Sequence, residues 1–473
     1  MTLIENRTWD EIKVGDRASL SRTLSRRDIE LFAVMSGDVN PAHVDDEFAR
    51  SDMFHKIIAH GMWAASLIST VLGTELPGPG TIYVDQSLHF CHPVAPGDTV
   101  VVTVVVREKD GGRRHVKLDC SVVDQAGKQV IAGTATVLAP TEKVARPRVV
   151  LPDIRIEERG ARLRKLIIEA QKSPPMRTAV VAPTDTVSLS GAVESAREHL
   201  IIPTLIGPAE AIRQAARAAK LDILAFEIVP TATNDLAASK AVELAATGKV
   251  DALMKGALHT DALMHAVVAS APNLRTERRI SHVFVMDVPS YPRALLITDA
   301  AINIYPDLDT KRDIIDNAIR LAHALGVPSP KVAILSAVET VNAKIRSTLE
   351  AAALCKMADR GQIAGGIVDG PLAFDNAVNL KAAQIKHIHS AVAGQADILV
   401  VPDLEAGNML AKQLEYLADA EAAGVVLGAR VPIILTSRAD SAKTRLASSA
   451  IAVLLSNAIR QPDDKVQAAL TAR

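Results

Sequence analysis

Residues 100–106 read VVVTVVV, and residues 115–124 read HVKLDCSVVD. The first is a β-branched run of the kind that packs well on a pleated surface. In the second, Val116, Leu118, Cys120 and Val122 alternate with other positions, the period of two expected of a half-buried strand. A turn, DQAGKQ, leads into VIAGTATVL at 130–138, so the stretch predicts an antiparallel meander. Upstream, residues 59–72 read AHGMWAASLISTVL, a strong helix that is apolar on almost every side. A helix of that kind is expected to be wrapped by something, and the strands around it are the available wrapping.

Near residue 140 the pattern changes. PTEKVARPRVVLP at 140–152 carries three prolines and mixed charge, which predicts a linker. Beyond it, short apolar runs alternate with amphipathic ones. Strands are expected in TAVVAP, PTLIG, DILAFEIV, VDALMKG, SHVFVMDV, ALLITD, KVAILSA, GGIVDG, ADILVVPD and VPIILTS. Helices such as AEAIRQAARAAK lie between them. Continuous apolar strands alternating with helices predict a mostly parallel α/β sheet. The reading is therefore an α+β domain at 1–140, a linker at 141–155 and an α/β domain at 156–473, large enough to form two lobes.

Composition narrows the function. Of 473 residues, 53 are Lys or Arg and 54 are Asp or Glu, for a formal net charge of -1. That argues against a broad basic nucleic-acid footprint. Aromatics are 3%, too few for a single-strand stacking platform. The three cysteines, Cys91, Cys120 and Cys355, form no C-x-x-C pair, so neither a disulfide framework nor a structural zinc site is expected. The first residues, MTLIENRTWDEI, lack an apolar signal core, and no uncharged stretch is long enough for a membrane span. A reduced, cytoplasmic enzyme or binding protein is expected.

The first candidate site follows a helix expected to start at Ser25, with Asp28 at capping-box spacing, and to stop at Gly37. Then come Asp38, Val39, Asn40, Pro41, Ala42 and His43. Gly and Pro bracket a tight loop with one carboxylate and one imidazole. Such a pair can hold a water, deprotonate it and shuttle the proton. Read from spacing alone, it is equally an Asp cap beside a surface His. His89, Cys91 and His92 resemble a metal cluster only until strand alternation is applied, which puts His92 on the other face.

FAVMSGDVNPAHVDDEFA (32–49), IIAHGMWAASLIS (57–69) and FCHPVAPGDTV (90–100) resemble the MaoC-like, (R)-specific enoyl-CoA hydratase family. The resemblance covers most of 8–138 and implies a hot-dog fold. It implies that Asp38 and His43 activate water for addition to an enoyl-CoA. Gly61, at the start of the central helix, would give its N–H to the thioester oxygen. Asn40 would fix the substrate-binding loop. Met62 and Trp63 are expected in the core and His60 in a structural role, with Ser66 and Ser69 either packing or facing substrate. The alternative is a thioesterase or a dimerisation module; thioesterase hot-dogs usually lack this loop, so its presence points to hydration.

The second candidate site is the strand–turn–helix VPIILTSRADSAKTRLASSAIAVLL at 431–455. Strand C-termini in α/β sheets bind ligands, and a hydroxyl beside an arginine at a helix N-terminus suits an anion. A plain N-cap with a solvated arginine has the same spelling. MKGALHTDALMHAVV (254–268), ISHVFVMDVP (280–289), LITDAAINIYPDL (296–308), GQIAGGIVDGPLAFDNAVN (361–379) and ADILVVPDLEAGNMLAKQLEYLA (396–418) join this turn in resembling the phosphate acetyltransferase and phosphate butyryltransferase family, over about 160–460. The T-D-A-A-I-N and D-G-P-L-A-F-D-N stretches look closer to the butyryl branch.

That resemblance implies two lobes with the site in the cleft between them, and acyl transfer between coenzyme A and inorganic phosphate. Arg438 would clamp the phosphoryl group and Ser437 would bond the reacting centre. Lys255, Thr260, Ser281 and His282 would line the facing side, with Glu405 and Asn408 also binding substrate. Thr444 stands where some acetyl-branch members carry an Asp proposed to activate the thiol. Asp440, Asp403 and Glu405 are alternatives for that base, and Asp369 and Asp375 are structural or site-lining. No tightly bound cofactor or metal is expected; coenzyme A thioesters and phosphate are substrates. The combined reading is a bifunctional acyl-CoA enzyme with no nucleic-acid or membrane partner, expected to be a homo-oligomer. A non-catalytic acyl-CoA sensor in the second half is the competing class, and it would be free to lose Ser437 and Arg438. An edge strand such as VVVTVVV would need covering.

Overall fold

The computed structural model describes residues 3–151, 154, 159–269, 274–435 and 442–460. The chain divides into two compact units, Met1–Ile156 and Glu157–Arg473.

The first unit contains strands β1 (Leu3–Glu5), β2 (Arg17–Thr23), β3 (Ile82–Phe90), β4 (Thr99–Asp110), β5 (His115–Asp124), β6 (Gln129–Leu138) and β7 (Ala145–Pro147). Its helices are α1 (Arg26–Ser36), α2 (Pro41–Val44), α3 (Asp46–Ser51) and α4 (Gly61–Thr74). The main sheet is antiparallel in the order β2-β4-β5-β6-β3. It wraps α4, which buries Trp63, Ala64, Ala65, Ile68, Val71 and Leu72 against Val100, Val102, Val104, Leu118 and Val137. Each large aliphatic among them contributes about 1.5–3 kcal/mol over an exposed position. This is the hot-dog arrangement.

Two expectations change here. VVVTVVV belongs to β4, which is hydrogen-bonded to β2 on one side and β5 on the other. It is an interior strand, and its alternate valines 100, 102, 104 and 106 are buried. The edges are β2 and β3. The stretch read as linker also carries structure. β7 pairs with β1, and buried Asn6 donates to the carbonyls of Pro79 and Glu142 and accepts from the Val144 N–H.

The second unit contains β8 (Met176–Val181), β9 (Ile201–Gly207), β10 (Glu227–Pro230), β11 (Ala252–Lys255), β12 (Ser281–Asp287), β13 (Leu295–Thr298), β14 (Lys331–Leu335), β15 (Ile367–Leu372), β16 (Ile398–Val400), β17 (Glu421–Leu427) and β18 (Ile433–Ile434). They form one continuous sheet, β10-β9-β8-β11-β18-β17-β12-β13-β16-β14-β15. Two all-parallel blocks, β10 to β18 and β13 to β15, stand at its ends. They are joined by antiparallel pairings of β17 with β18, β17 with β12, and β12 with β13. The two lobes thus share a sheet. β17 was not among the expected strands. Its sequence, EAAGVVL, starts with glutamate, two alanines and glycine, all depleted in strands. The helix Ala442–Arg460 lies along this junction, with the Ser449 hydroxyl 2.9 Å from that of Ser195. Among the described residues no helix is long and apolar enough to cross a membrane.

Candidate active sites

In the first unit, Ser25 caps α1 with a reciprocal capping box to Asp28, and Gly37 ends it in the left-handed conformation. The chain then turns sharply. The Asp38 carboxylate accepts from the Asn40 N–H at 3.2 Å, and Asn40 caps α2 through the Ala42 N–H at 3.1 Å. Asn40 therefore shapes the loop, and α2 carries His43. His43 Nδ1 lies 2.9 Å from the Ile58 carbonyl. A carbonyl only accepts, so Nδ1 carries the proton and Nε2 keeps a lone pair. His60 Nε2 likewise donates to the Asp38 carbonyl at 2.9 Å, which leaves its buried Nδ1 without a partner. The His43 and His60 rings lie tilted against each other, centroids 4.0 Å apart. His60 thus has the structural role expected of it, tying the Asp38 loop to the mouth of α4.

Asp38, His43 and His60 each offer a polar atom within 4.8 Å of the other two, the one such set able to share a cation among the described residues. Asp38 is exposed and His43 half-buried, so water reaches them. Gly61 opens α4 immediately after His60, where helix N–H groups lack intrahelical acceptors and the dipole favours negative charge. A Cβ at this position would stand 3.1 Å from the Phe90 ring, so glycine lets that ring close over the helix start. Trp63 is buried; Met62, Ser66 and Ser69 face outward. His92 Nδ1 is engaged with the Gln129 carbonyl at 2.7 Å, and Cys91 lies against the His89 carbonyl.

In the second unit, a cavity of about 450 Å³ opens at the junction of the two parallel blocks. Lys255, Thr260, His282 and Asn408 line it, as does Thr444. Lys255 ends β11 and is 5% exposed, its ammonium turned to the Gly256 and Leu258 carbonyls. Gly256 allows this path, since a Cβ there would lie 2.3 Å from the Val181 carbonyl oxygen. Ser281 is not part of the lining. Its side chain points to the opposite face of β12, where its Oγ accepts from Asn317 Nδ2 at 2.9 Å. Glu405 stands exposed in the first turn of the helix Leu404–Leu417 and is not among the lining residues. Asp403 caps that helix, Asp369 accepts from the Gly370 N–H, and Asp375 pairs with Lys386 at 3.2 Å. Ser437, Arg438 and Asp440 lie outside the described residues. Leu435, the last described residue before them, lines the cavity.

Among the lining residues that were not anticipated are Phe284, Lys412 and Glu415. Lys412 and Glu415 form an ion pair at 2.7 Å. Asn408, Lys412 and Glu415 stand at i, i+4 and i+7 of one helix, so a single helical face presents all three. Phe284 is two residues from His282 on the same strand face and packs edge-on against it, centroids 4.4 Å apart.

A family profile described as "Phosphate acetyl/butaryl transferase" matches residues 209–453, more than half of the chain. The chain belongs to that family. A second profile, "MaoC like domain", matches residues 10–126. Over 290 residues the chain is 62% identical to a phosphate acetyltransferase of Rhizobium meliloti, a match spanning 61% of this chain and 92% of that protein. It is 42% identical over 290 residues to a phosphate butyryltransferase of Clostridium acetobutylicum, spanning 61% and 96%. Within the family, the acetyl-named relative is thus the more similar of these two, although two motifs look closer to the butyryl branch. The solved R-hydratase PhaJ1 of Pseudomonas aeruginosa is 42% identical over 33% of this chain and 99% of its own, with a TM-score of 0.32.

Proposed function

We propose that the chain is a bifunctional acyl-CoA enzyme: residues 1–140 hydrate trans-2-enoyl-CoA to (R)-3-hydroxyacyl-CoA, and residues 156–473 move an acyl group between coenzyme A and phosphate. Membership of the transferase family supports the second activity. The first rests on one observation. A solvent-reachable carboxylate, an imidazole with a bare Nε2 and the start of a helix share one mouth.

In hydration, Asp38 and His43 hold the water, whose oxygen bonds to C3 as its proton goes to C2. Negative charge that gathers on the thioester oxygen meets the Gly61 N–H, an interaction worth about 3 kcal/mol of barrier. In transfer, the thiol sulfur of coenzyme A attacks the carbonyl carbon of an acyl phosphate, the carbon–oxygen bond to phosphate breaks, and the thiol proton ends on the released phosphate. No covalent enzyme intermediate is needed, and positioning supplies much of the rate. Arg438 clamps the phosphoryl group and Ser437 bonds the reacting centre. Acetyl is the expected acyl group, on the identity to the acetyl-named relative.

We further read the protein as a cytoplasmic homo-oligomer. Its cysteines are free thiols, and edge strand β3 exposes Ile82, Tyr83, Val84 and Phe90, apolar surface along an edge that a second copy would cover. The test is phosphate-dependent release of coenzyme A from acetyl-, butyryl- and crotonyl-CoA, run beside loss of the enoyl ultraviolet absorbance. Release that disappears in Arg438→Ala, with enoyl loss intact, is the expected result. Tight acyl-CoA binding with no release would leave a sensor in place of a transferase.

A further inference from the structure

His282 is 1% exposed, yet it lines the transferase cavity. Its Nδ1 is buried and unpartnered. Its Nε2 reaches the other way, toward β17. A Cβ built on Gly424 would stand 2.8 Å from Nε2 and 2.9 Å from the carbonyl oxygen of Leu435. The imidazole edge and Leu435, the last described residue before 436–441, therefore meet around one point. Only glycine at 424 leaves room for them.

The two nitrogens decide the tautomer. A buried orphan N–H is rarer and costlier than a buried orphan acceptor. The bare nitrogen is therefore Nδ1, and the proton sits on Nε2, the edge beside Gly424, which lines the cavity together with Leu435. Burial pushes the imidazole down to about 3, so the ring is neutral at physiological pH. A neutral ring is a poor base and a competent N–H donor, the arrangement enzymes use to polarise a carbonyl without moving a proton.

We propose that His282 is a catalytic residue of the transferase site, donating its Nε2–H to the acyl carbonyl oxygen as the tetrahedral adduct forms. The assignment rests on the acyl-transfer reading above. Sulfur bonds to the carbonyl carbon, the π pair moves onto oxygen and is met by the Nε2–H, and the pair returns as the bond to phosphate breaks. The histidine neither gains nor loses a proton. A donor of this kind does its work only on the charge-separated adduct, so its loss falls on kcat.

The experiment compares wild type, His282→Phe, His282→Gln and Gly424→Ala for phosphate-dependent release of coenzyme A from acetyl-CoA. Binding of coenzyme A is measured by calorimetry and folding by thermal melting. His282→Phe keeps a ring but no donor and should lower kcat about 10²–10³-fold, with KM and affinity within a few-fold. His282→Gln restores an N–H and should recover most of that loss. Gly424→Ala keeps the histidine but displaces it, and should also lower kcat. If the Phe variant fails to fold, the Gln and Ala variants decide the matter alone. A Phe variant that keeps its rate, or loses only affinity, overturns the assignment. So does an acid limb of kcat that vanishes in His282→Gln, which would make the residue a base; Lys255, His259, Lys412 and Glu415 face the same cavity and would keep their own limbs. Wild type without phosphate-dependent release overturns the transfer reading and this assignment with it.

Discussion

Asp38→Asn keeps the shape of the loop and its bond to the Asn40 N–H partner position, but removes the charge that activates water. Hydration should fall by about 10²–10⁴, the usual contribution of a positioned acid or base; His43→Ala should do the same, measured as enoyl loss at saturating substrate. Hydration that persists within ten-fold of wild type would refute the site. At this scale the sequence was readable where a residue's neighbours in the chain were also its partners in space. Asn40 is of that kind, bonded to Asp38 and Ala42; His43 and Gly61, whose contacts are Ile58 and Phe90, were assigned their roles only through the resemblance. Ser281 and His282 show the opposite case: adjacent residues of a strand face opposite sides, so a single face could take only one of them, and alternation alone does not say which. Lys412 and Glu415 share a helical face with Asn408, a signal that was present and went unused. Gly256→Ala offers a packing test. Its Cβ would meet the Val181 carbonyl, and a loss of about 1–3 kcal/mol in urea unfolding is expected.

Helix α1 was legible end to end because its stop signals are local: a capping box at one end, a left-handed glycine at the other. Ser25→Ala should cost about 1 kcal/mol. Asp28 adds a pH dependence. Burial raises its carboxyl, but bonds from the Ser25 hydroxyl and N–H and from Arg22 outweigh that and hold it below its ordinary 3.8. A group depressed on folding stabilises above its unfolded value, and that stability is lost as pH falls through the folded one. Acid unfolding below about pH 4 should therefore be shallower in Asp28→Asn than in wild type. Strand β17 was missed for the complementary reason. Its alanines and glycine have no strand signature, and what makes them a strand is pairing with β12 and β18, information that lies more than a hundred residues away for β12. Edge strand β3 gives a third test: Val84→Lys should lower the mass measured by light scattering if a second copy covers this strand.

The chain divides into two units with separate cores, and each proposed site is built within one of them. Crossed variants should behave independently. Asp38→Asn should lower hydration and leave acyl transfer unchanged, and His282→Phe should do the reverse, with the double variant showing in each activity only the loss of the corresponding single variant. Departure from that pattern would show coupling between the sites. The change of period near residue 140 precedes the division into units at 156/157, since β7 still pairs back to β1; the shared sheet of the second unit was not legible, because strand order is set by contacts that no local pattern encodes. That order carries a consequence for biosynthesis. β17, which joins β12 to the first block, and β18, its partner in that block, are the last strands among the described residues. On the ribosome the hot-dog unit can finish while the transferase half is still two unjoined pieces with open edges, the kind of surface that aggregates. A message broken in its final stretch would yield hydration without transfer, from a protein whose larger part has nowhere to close.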